Sequence, residues 1–122
     1  MADELAPEAQ QIVMQMQSFQ QLLQNILIQK ESLNVQNSEI ENALEELEKA
    51  KENETVYKAV GPILIKAEKG KLMEDLNNKK ETLETKLKSL EKQEEKTKEK
   101  LAELQKKIQE MFSQSSASEV AE

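Results

Sequence analysis

The stretch Val56-Tyr57-Lys58-Ala59-Val60-Gly61-Pro62-Ile63-Leu64-Ile65-Lys66-Ala67 decides the fold. Two β-branched, apolar runs flank a Gly-Pro pair. Gly61 supplies the backbone angle a tight turn needs, and Pro62 sits where no amide donor is required. With a two-residue loop, Val60 faces Ile63, Lys58 faces Ile65 and Val56 faces Ala67. One face of this hairpin then carries Val56, Val60, Ile63, Ile65 and Ala67, interrupted only by Lys58. The other carries Tyr57, Ala59 and Leu64 beside Lys66. A lone two-stranded hairpin is marginal in water, and both of its edges present unpaired N–H and C=O groups. Pairing with hairpins of other chains, into a larger sheet or closed barrel, is the expected remedy. Val56, Tyr57, Val60, Ile63, Leu64 and Ile65 are therefore the expected assembly residues. The alternative is a hairpin folded back over its own helices.

Outward from the hairpin, both flanks repeat in heptads. On the N-terminal side Ile12, Met16, Phe19, Leu23, Ile26, Lys30, Leu33, Asn37, Ile40, Leu44 and Leu47 follow at alternating steps of four and three, and nine of these eleven are apolar. On the C-terminal side the series is Met73, Leu76, Lys80, Leu83, Leu87, Leu90, Glu94, Thr97, Leu101, Leu104, Ile108 and Met111, with nine of twelve apolar. Such sustained repeats predict coiled-coil helices, each roughly 60 Å long at about 1.5 Å per residue. The hairpin makes the two arms antiparallel and pairs core positions outward from the turn: Leu47 with Met73, Leu44 with Leu76, and on to Phe19 with Leu101, Met16 with Leu104 and Ile12 with Ile108. The expected organisation is a flexible N-terminus at 1–6, a first arm at 7–53, the hairpin element at 54–69, a second arm at 70–112 and a disordered tail at 113–122. Pro7 suits a first helical turn, where its missing N–H is harmless.

Composition excludes much else. The chain has 122 residues, 34% charged and only 2% aromatic, with two Gly and two Pro, which favours long helices over a globular core. It has no Cys and no His, so disulfides, thiolate nucleophiles, zinc sites of the usual kind and imidazole catalysis are absent. No cofactor and no metal site is expected, and the chain reads as a non-enzyme. A net charge of −7 opposes nucleic-acid binding, since phosphate demands a cationic face. No apolar run matches a membrane span, and the N-terminus lacks the build of a signal peptide, so a cytoplasmic location is expected.

Near the far ends of the arms the apolar residues overflow the heptad stripe. Val13, Met14, Leu22, Leu27 and Ile28 lie outside the core positions, as does Phe112 on the second arm. One coiled-coil partner cannot cover a stripe that wide, and flexible methionines suit a surface that accepts many partners. The expected client-contact residues at the tips are Val13, Met14, Met16, Phe19, Leu22, Leu23, Leu104, Ile108, Met111 and Phe112.

Helix, single hairpin, helix, with the Val-Tyr-Lys-x-Val-Gly-x-x-Leu run at 56–64, resembles the β-type subunits of the prefoldin family. The segment Leu90-Glu91-Lys92-Gln93-Glu94-Glu95 is similar to the family's Gln-Glu stretch in the C-terminal helix. The resemblance spans roughly residues 9–112 and is carried chiefly by the junction, because any heptad protein resembles any other. It implies a mainly α fold in which a long antiparallel coiled coil assembles through its β-hairpin into a multi-chain β-barrel platform. It further implies a hexamer of two α-type subunits with four β copies, hung with coiled-coil tentacles. Such a complex would capture non-native proteins at the tentacle tips without ATP and deliver them to a group II chaperonin in the cytoplasm. The rival reading is a structural scaffold or tether that never releases a client.

Overall fold

A computed structural model describes the backbone of residues 6–121 and the side chains as far as Ser113. The element order is α1 (Pro7–Lys49), β1 (Val56–Val60), β2 (Ile63–Ala67) and α2 (Lys69–Ala121). The chain divides into two compact units, an outer one of Met1–Gln29 with Leu90–Glu122 and an inner one of Lys30–Ser89.

In the inner unit the hairpin has the expected register, with Val60 opposite Ile63 and Val56 opposite Ala67. Gly61 takes a φ of 58°, the left-handed value that the first central residue of a II′ turn requires. α1 stops at Lys49 rather than near residue 53. Glutamates at 45, 46 and 48 crowd the negative end of its dipole, and a turn closed by Glu54 N–H to the Lys51 carbonyl (3.0 Å) follows. α2 begins at Lys69, one residue before the expected start of the second arm, so Gly70 lies inside the first turn. The Leu72 N–H donates to the Glu68 carbonyl at 3.0 Å, which places Glu68 at the cap.

Lys69 crosses from the start of α2 to the end of α1. Its Nζ donates to the Ala50 carbonyl at 2.6 Å and lies 3.4 Å from that of Glu48. An ammonium here satisfies carbonyls the helix leaves unbonded and complements its dipole. Lys69→Met should cost about 1–3 kcal/mol, read as a lower Tm and faster amide exchange at 50–56, with Lys69→Arg retaining part of the effect.

Burial follows the heptads residue by residue. Ile26, Ile40, Leu83, Leu90, Thr97 and Leu104 are buried, and every other position of the two series is half-buried. Ala9, 3% exposed, extends the seam one step earlier than Ile12. Several polar seam positions find local partners, although the Asn37 Oδ1 is buried without one. In the inner unit the Glu41 carboxylate accepts from Asn37 Nδ2 at 3.3 Å and pairs with Lys80 at 3.5 Å, drawing the lysine head out of the seam. In the outer unit Glu94 pairs with Lys98 at 2.9 Å, and Thr97 Oγ1 donates to the Gln93 carbonyl at 2.7 Å.

α2 continues as helix to Ala121, so the tail expected to be disordered over 113–122 is helical to that residue. No Gly or Pro follows Gly70, and Ser, Gln, Ala and Glu give the helix no reason to stop. The expected flexible N-terminus lies, apart from Ala6, outside the described residues, and so does Glu122.

Candidate functional site

Two surfaces carry chemistry that the coiled coil does not use. The first is the hairpin. Val60 and Ile63 close the turn as a hydrogen-bonded pair, so the pairs Lys58–Ile65 and Val56–Ala67 are bonded likewise. The intervening residues Tyr57 and Ala59 on β1, and Leu64 and Lys66 on β2, therefore aim their N–H and C=O groups at the two edges. Among the described residues the sheet has only these two strands, so both edges are free. Its side chains are also uncovered: Tyr57, Val60, Ile63, Leu64 and Ile65 are all 45–68% exposed. Of the six expected assembly residues only Val56 is half-buried. Five-residue strands with large apolar side chains open on both faces form an incomplete sheet.

The second surface is the outer unit. From Ala9 to Gln29 α1 carries no charged residue, while residues 91–110 of α2 carry six Lys and six Glu. The ten expected tip residues divide by burial. Met14, Leu22 and Phe112 stand in the open at 67%, 44% and 51% exposure. Val13, Met16, Phe19, Leu23, Ile108 and Met111 are half-buried, and Leu104 is buried in the seam. Leu104 therefore offers no free surface of its own, because its heptad position directs it at the partner helix. Phe19 and Leu104 nonetheless form, with Met14, the apolar floor of a hollow of about 650 Å³, rimmed by Gln15 and Ser18 on α1 and by Lys100 and Lys107 on α2. Leu27 and Ile28 are exposed too and continue the same uncharged surface. They belong to the overflow expected from the heptad pattern but not to the ten expected client-contact residues. In the inner unit Val35 is likewise exposed, seven residues beyond Ile28, and that spacing outside the heptad marks it as further overflow.

Among the described residues no group of three or more acidic side chains could hold a metal ion. No helix among them is long and apolar enough to cross a membrane. What both surfaces can do is bind apolar polypeptide: the hairpin by strand pairing, the outer unit by side-chain contact.

The family described as Prefoldin subunit matches residues 10–115. The prefoldin subunit beta of Archaeoglobus fulgidus is 44% identical over 110 residues, which is 90% of this chain and 95% of that relative. That of Thermococcus onnurineus is 43% identical over 105 residues, covering 86% and 90%. Among solved structures, the prefoldin beta subunit from Thermococcus strain KS-1 aligns with a TM-score of 0.81 at 39% identity, over 88% of this chain and 95% of its own.

Proposed function

This chain belongs to the prefoldin subunit family and is a chaperone subunit that assembles with other prefoldin subunits, and we propose that it captures non-native proteins at its tips without ATP and delivers them to a group II chaperonin. The observation that carries this reading is the uncharged stretch from Ala9 to Gln29, with Met14, Leu22, Leu27 and Ile28 exposed. Exposed apolar side chains on a helix otherwise served by a complete seam are a binding surface of low specificity. Non-native clients of many sequences suit it, since they share exposed apolar side chains and little else. The hairpin would join other subunits into a β-barrel platform, two α-type with four β-type chains, and the complex would work in the cytoplasm.

The work is binding rather than chemistry. The chain's two glycines stand in a hairpin turn and a first helical turn, and neither belongs to a loop that could cradle phosphates. The purified complex, mixed at stoichiometric amounts with a denatured unrelated protein, should suppress its aggregation equally with and without ATP. A requirement for nucleotide would remove the ATP-independent reading. Failure to suppress aggregation at all would favour a scaffold.

A further inference from the structure

Asn37 and Lys80 stand in the inner seam among Leu33, Ile40, Leu44, Leu76 and Leu83, where an apolar side chain would pack better. Asn37 is satisfied on one side only. Its Nδ2 donates to Glu41 Oε1 at 3.3 Å, while its Oδ1 is buried without a hydrogen-bond partner and bears the full cost of desolvation. Lys80 Nζ reaches the same Glu41 oxygen at 3.5 Å, with the lysine side chain 31% exposed and the glutamate 52%. A pair so open to water adds little stability. The inner coil thus gives up packing at two seam positions and recovers little from the polar contacts. Pairing of the arms within the chain does not need them either, because the short hairpin already sets it.

What the cluster can decide is how many helices share the seam. A polar residue at a seam position specifies strand number at a cost in stability. In a two-helix coil Lys80 leaves the seam sideways and keeps its head in water beside Glu41. A third helix on that flank would strip the water from Lys80, Glu41 and the Asn37 Oδ1 together, with no new partner for any of them. The sequence of α1 makes such exclusion necessary. In its outer segment Val13, Leu22 and Leu27 flank the seam, a stripe wide enough for more than one neighbour, whereas Asn34, Gln36 and Glu41 take the flanks in the inner segment. We propose that the Asn37–Glu41–Lys80 cluster keeps each coil two-stranded, excluding the arms of neighbouring subunits from the inner seam so that every tip stays separately available to a client. The inference rests on the tips being the client site and adds the residues that keep the arms apart.

The test uses the full chain bearing Ile63→Asp, so that the arms are read without assembly through the hairpin. Asn37→Leu and Lys80→Leu are added singly and together, with mass by light scattering and Tm by far-UV circular dichroism. The double variant should melt about 4 °C or more above its parent and form a species of defined, higher mass. The single variants should fall between. Asn37→Gln with Lys80→Arg keeps polar groups at both positions and should keep the parent's mass. A double variant that is more stable at the parent's mass would show that the cluster does not select strand number. One less stable than the parent would show that the cluster serves to hold the two arms together. Either result overturns the proposal, as would association of the Gln/Arg variant. Each comparison is with the parent, so it reads the arms even where Ile63→Asp leaves some hairpin assembly. Failure of the wild-type complex to hold clients would sink the tip reading alone, since the mass comparison does not depend on it.

Discussion

Ile63→Asp is expected to leave the chain helical and to stop it from assembling. Ile63 is 59% exposed in the single chain, so a carboxylate there stays in water while the subunit is alone. Assembly through the hairpin would strip that water, and an apolar sheet face provides no partner for the charge. The uncompensated cost is several kcal/mol. At about 1.4 kcal/mol per tenfold, that weakens association on the order of a hundredfold to a thousandfold. Ile65→Asp, at a site 50% exposed, should behave alike. Helicity should survive because the arms are held by their own buried seam, from Ile40 to Leu83 within the inner unit, and by the Glu41–Lys80 pair.

Leu64, on the opposite face and 68% exposed, separates two versions of assembly. If only the Ile63 face is buried between subunits, Leu64→Asp should assemble normally; a closed barrel with a filled interior on one side and packed helices on the other should reject both. Light scattering beside circular dichroism reads each variant. Normal mass for Ile63→Asp and Ile65→Asp would show that the hairpin is not where subunits join.

How much of this was readable beforehand differs between the two surfaces. The hairpin was legible to the residue, register included, because a Gly-Pro turn between two β-branched runs leaves one pairing. The seam was legible because burial in a two-helix coil is set by a seven-residue period, and even Lys80 and Glu94 sit where the period puts them. Boundaries were less so. α1 stops at Lys49 because glutamates accumulate against its dipole, a graded effect with no sharp marker in the sequence. The tip was legible only in outline. Period alone says which residues leave the seam, yet Val13 and Leu22 both leave it and only Leu22 is exposed rather than half-buried. That distinction depends on how neighbouring side chains lean over the flank of the helix.

Replacing the open apolar residues at the tip should therefore separate holding from assembly more cleanly than shortening the arms. Deleting residues 1–18 with 109–122 removes Val13, Met14, Met16, Met111 and Phe112, and aggregation suppression should fall. It leaves Leu22, Leu27 and Ile28 in place, however, at 44%, 46% and 61% exposure, so the loss should be partial. Met14→Gln, Leu22→Gln, Leu27→Gln and Ile28→Gln together should abolish it. Glutamine is nearly as good a helix former as leucine or methionine and matches the Gln-rich surroundings, so α1 should lose little stability. Each apolar side chain covered by a client contributes roughly 1–2 kcal/mol in area removed from water, less what ordering the client costs. Even half of that, summed over four positions in each of several subunits, corresponds to at least a hundredfold in affinity. The measurement is client aggregation by turbidity, set beside the mass of the complex. A fourfold variant of normal mass that holds clients as well as the wild type would rule out this face of α1 and turn attention to the hollow floored by Phe19 and Leu104, which the four substitutions leave largely apolar.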